Sequence, residues 1–219
     1  MTFMSPTLPA FAFEGGVGGL GKTKPQTGVE LWDSDSTPIQ NAQGIISAEI
    51  ASTSGTPILV NFQTPWPISS VSSGLEGRDL RTSESAFVQV LRLDPQMKDS
   101  WQKPATFRLL LLESLLASQG KYGAYGSPTD VKVKALPDTS TFQVTFISYT
   151  PSMLESERQL WISPKAIGND TLVLLVVGTT RARFASQQAT IQKVVNSFTA
   201  VAAPTTRMRK RKEPDTFME

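Results

Sequence analysis

Cysteine and histidine are both missing from this 219-residue sequence. Without them the chain cannot form a disulfide, a thiolate nucleophile, an imidazole general base or a zinc site built from those ligands. The lack of cysteine also means that bridges cannot report the redox compartment. Charge of one sign is scarce too: 21 basic residues face 19 acidic ones, a formal net charge of +2. Five of the basic residues (Arg207, Arg209, Lys210, Arg211, Lys212) and three of the acidic ones (Glu213, Asp215, Glu219) lie beyond residue 204, which leaves 16 of each sign in the body. A neutral body argues against a nucleic-acid-binding domain, which normally carries a basic face. No apolar run approaches the roughly 20 residues that span a bilayer.

The chain does have enough Leu, Ile, Val and Phe to bury a core. Its clearest signal is the stretch 170–201. An unbroken apolar run rich in β-branched residues, Leu172 through Val177, suits a strand covered on both faces. Gly178, Thr179 and Thr180 break the pattern. From about Arg183 a helical period takes over, with Ile191, Val194, Val195 and Phe198 on one face and Lys193 and Asn196 pointing away. Upstream, strands are expected over 44–50, 57–63 and 86–93, with a short one over 78–82. Phe87, Gln89, Leu91 and Leu93 alternate against Val88, Val90 and Arg92, as in a half-buried strand. The stretch 104–118 reads as a helix that Pro104 opens and Gly120 closes, its stripe (Leu111, Leu112, Leu115, Leu116) facing the core. Strands over 130–136, 141–149, 157–163 and 171–178 follow, the last three forming an antiparallel meander because their connections are short. The loop 122–128 shows two exposed-looking aromatics, Tyr122 and Tyr125, while Trp66 and Trp161 are expected in the core.

The flanks carry the possible chemistry. Residues 16–23, GVGGLGKT, match the Walker A pattern at every fixed position, with Lys22 and Thr23 as the phosphate and magnesium contacts. A working P-loop needs a strand before it and a helix after it. Here Pro25 and Gly28 interrupt the required helix, so a flexible Gly-rich arm is the preferred reading and a nucleotide-binding protein the alternative. Ala10-Phe11-Ala12 presents the small residues that a signal peptidase accepts, or it belongs to an ordinary extended segment. The run Arg207, Met208, Arg209, Lys210, Arg211, Lys212 is read as a solvated basic tail, with nuclear import, anionic lipid or an acidic protein partner as the other possibilities. Asp79, Glu84, Glu113, Asp130 and Glu157 fall among presumed loops and solvent faces, and no spacing pairs two of them for acid–base work.

Four stretches, in this order, resemble the PsbP-like family, the extrinsic lumenal proteins of photosystem II and their relatives. They are ILVNFQTPWP (58–67), YGSPTDVKV after the first helix (125–133), the antiparallel series through Trp161 and Val177-Gly178, and the closing helix with Asn196-Ser197-Phe198. The resemblance implies an α+β fold, an α-β-α sandwich around a central antiparallel sheet (PsbP/Mog1-like). It implies a domain over 44–203, preceded by the end of a targeting signal (1–12) and an arm (13–43) and followed by a tail (204–219). It implies a non-catalytic extrinsic subunit or assembly factor of a photosystem, photosystem II foremost, in the chloroplast thylakoid lumen and peripheral to the membrane. The partners it implies are photosystem core subunits and neighbouring extrinsic proteins, with no nucleic acid and with membrane association only through the complex. No cofactor or metal site carries over, because the family's metal contacts include histidine; any calcium or chloride retention would be indirect. Lys22 and Lys24 on the arm, with Arg207, Arg209, Lys210, Arg211 and Lys212, are the expected contacts to acidic partner loops. A nuclear, small-GTPase-binding protein of the related Mog1-like fold is the remaining alternative.

Overall fold

Among the described residues, ten strands and two α-helices make two antiparallel sheets with a helix on either side of the larger one. The computed structural model describes residues 27–32, 38–69, 74–82, 84–137 and 139–204. Strands β1 (Ile39–Gln40), β2 (Ile45–Ala51) and β3 (Pro57–Gln63) form the smaller sheet with β10 (Thr199–Ala202), in the order β1-β2-β3-β10. Strands β4 (Glu76–Arg78), β5 (Ser85–Arg92), β6 (Thr129–Ala135), β7 (Phe142–Tyr149), β8 (Glu155–Ile167) and β9 (Thr171–Thr180) form the larger one, ordered β4-β5-β9-β8-β7-β6. Helix α1 (Pro104–Leu112) lies between β5 and β6 in the chain, and α2 (Arg181–Asn196) follows β9 directly. Among the described residues no helix is long and apolar enough to cross a membrane.

The β7-β8-β9 meander forms as its short turns require, with Gln143, Trp161 and Val177 directly opposite one another across the three strands. Because side chains alternate, β5, β8 and β9 each feed two cores. Ala86, Val88, Trp161, Val173, Leu175 and Val177 face the smaller sheet and α2, where they meet Ile50, Ile58, Phe62, Trp66, Val194 and Phe198. Phe87, Leu160, Ile162, Leu172, Leu174 and Val176 face α1 and meet Phe107, Leu111, Leu115 and Leu116. The expected α-β-α sandwich is therefore present, and the smaller sheet shares the α2 layer.

Several expectations need correction. Strand β5 is buried on both faces, Gln89 included, because β9 and β4 flank it and both layers cover it. The short strand near 78–82 is instead Glu76–Arg78. Helix α1 stops at Leu112; Leu115 and Leu116 are core residues carried by turns. Strand β9 runs through Gly178 to Thr180, so α2 begins at Arg181. Strand β8 continues to Ile167 through Pro164, a position where β7 no longer pairs with it and the missing N–H costs no ladder bond. Parts of the expected arm lie against the sheets: Leu31 bridges Ile50, the Val90 amide donates to the Thr27 carbonyl at 2.8 Å, and Gln40 reaches the Trp66 carbonyl at 3.0 Å.

Candidate functional site

One end of the larger sheet gathers most of the molecule's buried charge. The starts of β5 and β8 and the ends of β7 and β9 all lie there. On the α1 side of this end the chain leaving α1 folds back through tight turns. Its packing depends on Gly123, where a Cβ would run into the carbonyl oxygen of Ala117. Within the sheet, Gly178 leaves room for the Leu160 side chain; a Cβ there would also sit 2.6 Å from the Gln159 carbonyl oxygen. The result is a recess of about 280 Å³ between the turn, β4, β5 and the β7-β8 hairpin.

Three cations line it: Arg78 from β4, Lys121 from the turn and Arg158 from β8. Ser85, Ser148, Tyr122, Tyr125 and Tyr149 complete the polar wall. Lys121 is ion-paired with Glu76 and stands 3.9 Å from the centre of the Phe87 ring. Burial holds the Lys121 ammonium below its usual range; Glu76 acts in the opposite sense, and Arg78 and Arg158 add to the depression. Tyr122 packs edge-on to Phe146 with ring centres 5.1 Å apart, and the Arg158 guanidinium lies 6.0 Å from its ring centre. Burial pushes its phenol up to about 12, with Arg158 and a hydrogen bond to Ser85 pulling the other way. The Arg158 Nε is buried and has no hydrogen-bond partner. Among the described residues Glu76 is the single ion-pair partner of the three cations, so the recess carries a surplus of two positive charges.

On the opposite face of the same sheet end, Glu84 is buried and receives a 2.6 Å hydrogen bond from the Arg183 Nε and a 3.2 Å bond from the Thr179 hydroxyl. This corrects the expectation that the acidic residues are dispersed over loops and solvent faces. Asp79 is tied to the same corner through its amide, which donates to the Glu84 carbonyl, and the Arg81 amide holds its carboxyl below the usual range. Glu157 and Asp130 instead pair at the surface with Arg181 and Lys132, at 3.3 and 2.9 Å.

Trp66 and Trp161 are core residues, as expected. Tyr122 is not exposed, because its ring is wedged between Phe87 and Phe146. The motif at 16–23 with Lys22, as well as Lys24, Arg207, Arg209, Lys210, Arg211 and Lys212, lies outside the described residues. Nothing in the sequence marks Arg78, Lys121 and Arg158 as a set: they are about 40 residues apart in the chain, and only the Tyr-Gly-rich loop beside Lys121 stood out.

No family model matches the sequence, and no curated protein does. Solved structures with a similar chain course include cyanobacterial PsbP (CyanoP) from Synechocystis sp. PCC 6803, at 11% identity and a TM-score of 0.38, covering 75% of this chain and 96% of that one. LpqN, described as involved in cell envelope biogenesis of Mycobacterium tuberculosis, is similar at 10% identity and a TM-score of 0.38, over 73% of this chain and 92% of its own. Likenesses this distant assign no function.

Proposed function

We propose that the protein is a non-catalytic interaction protein, an extrinsic subunit or assembly factor of a photosystem, photosystem II foremost, on the lumenal side of the thylakoid membrane. The observation that carries the reading is how the four family-like stretches lie in the fold. Three of them meet in one apolar core, where Ile58, Phe62 and Trp66 pack with Trp161, Val177 and Phe198. Ser197 joins two of these stretches directly, accepting a 2.8 Å hydrogen bond from the Gln63 amide next to β10. The fourth stretch forms β6 and, with Tyr125, a wall of the cationic recess. The resemblance therefore follows residues that build the sandwich and the cationic recess. The role follows from recognition: a rigid sandwich presents fixed donors to a partner and loses little freedom on binding. Photosystem core subunits and neighbouring extrinsic proteins are the partners in this reading.

Fractionation of detergent-solubilised thylakoids tests it. The expected result is a stoichiometric band that travels with one photosystem and is released by a salt wash. Recovery of the full-length protein in the nucleus, or in the lumen free of both photosystems, would overturn the reading.

A further inference from the structure

We propose that the recess walled by Arg78, Lys121 and Arg158 is a binding site for a tetrahedral oxyanion, specifically the dianionic phosphate group of a small phosphomonoester. Three observations converge on this ligand. The first is charge. Three cations and one carboxylate leave a surplus of two, which a phosphomonoester dianion matches and a carboxylate does not. The second is the donor set. Two guanidiniums, an ammonium and the hydroxyls of Ser85 and Ser148 reach the recess from β4, β8, the turn after α1, β5 and β7. Donors arriving from several directions suit three terminal oxygens spread over a tetrahedron better than the two coplanar oxygens of a carboxylate. The third is the buried Arg158 Nε, which has no partner in the protein. A guanidinium N–H withdrawn from water without an acceptor is costly unless a ligand supplies one.

The neighbouring features fit a small ligand. The volume of about 280 Å³ lies just below the usual range for ligand pockets, enough for a phosphate and a compact body. The rings of Tyr122, Tyr125 and Tyr149 supply apolar surface beside the cations. The other concavities lack this combination. The one on the outer face of β6, β7 and β8 also carries a surplus of two, with Lys132, Lys134, Arg158 and Arg181 against Asp130 and Glu157, but two of its cations are paired at the surface and no tyrosine lines it. The one beside the end of β3 has Lys193 among uncharged neighbours. The site rests on the recess alone, so this test and the thylakoid fractionation fail independently.

Calorimetric titration of the full-length protein at physiological salt tests the site with inorganic phosphate, phenyl phosphate, sulfate and acetate. Phosphate is expected to bind saturably with a Kd of about 1 mM or tighter, with sulfate competing and acetate much weaker. Phenyl phosphate is expected to gain affinity as pH rises through its second ionisation, near 6 for phosphomonoesters. Tighter binding of phenyl phosphate than of phosphate identifies an ester as the ligand, and equal binding identifies the free anion; both support the site. Arg158→Gln should weaken phosphate binding about tenfold, whereas Arg181→Gln, outside the recess, should leave it unchanged. If Arg158→Gln does not fold, Arg78→Gln on the exposed rim carries the same expectation. Absence of saturation, acetate binding as well as phosphate, or equal losses in the recess variants and Arg181→Gln would each overturn the proposal.

Discussion

Two buried acid–base pairs sit at the same end of the larger sheet, back to back on its two faces, and they are built differently. In the Glu84–Arg183 pair the carboxylate is 2% exposed and the guanidinium 46%, so the cation keeps much of its water while Thr179 supplies a second donor. In the Glu76–Lys121 pair both partners are withdrawn, at 10% and 18% exposure, and two further guanidiniums stand nearby. The first pair is close to balanced and joins the start of α2 to the start of β5. The second has too few acids for its bases. A buried charge is costly unless a partner compensates it, so the two arrangements should respond differently when each carboxylate is removed.

Of the two carboxylate variants, the larger effect is expected from Glu76→Gln. It leaves the Lys121 ammonium buried between Arg78 and Arg158, and loss of one member of a buried pair costs about 3 kcal/mol. Chemical denaturation at pH 7 measures this. The deficit should shrink as pH rises. The folded Lys121 pKa lies below its unfolded value of 10.5, so between the two the unfolded chain binds more protons and stability increases with pH. A deficit that does not change up to pH 10 would mean that Lys121 is not its source.

Glu84→Gln should cost less, about 1–2 kcal/mol, because a charge-assisted hydrogen bond is lost while Arg183 turns to solvent. Its cost should vary little between pH 7 and 10. If Glu84→Gln proves the more damaging variant, the contrast between the faces is reversed.

Tyrosine ionisation gives a smaller, spectroscopic signal. Tyr122 should ionise near pH 12, and Tyr122→Phe should remove that step from the absorbance titration. The stability that neutral Tyr122 contributes is complete below pH 10 and is lost as pH climbs toward 12, since there the folded chain holds the proton longer than the unfolded one. The smallest effect belongs to Lys193→Ala, on the exposed face of α2, which should shift stability by no more than about 0.5 kcal/mol. Its neighbour Val194→Asp should unfold the domain, because it would place an unpaired carboxylate in the core.

The fold was legible where a single period governs a stretch. Leu172 to Val177 are apolar on both faces and form the central strand, and the β7-β8-β9 order follows from short turns. The reading slipped where composition and conformation part. The leucines from 109 to 116 look like one helical stripe, yet Glu113 ends the helix and Leu115 reaches the core from a turn. Gln89 disguised a strand covered on both sides. The recess was not legible at all. Its three cations come from β4, a turn and β8, and each alone looks like an ordinary surface charge; only the folded chain brings them together. Tyr122 was misread for a related reason, since a Gly-rich context suggests exposure while the ring fills a gap between two phenylalanines.

The position of β10 has a consequence for how the molecule is made. Thr199 to Ala202 pair with Asn61 to Ile58, so the edge of the smaller sheet waits for a strand some 140 residues downstream. Until that segment arrives, β3 presents an unpaired row of amides and carbonyls, the kind of edge that recruits foreign strands. Contacts this distant in sequence also slow folding. A chain interrupted before residue 199 would thus retain nearly all its apolar residues and still be a template for aggregation. The four-residue β10 is the latch that closes this edge.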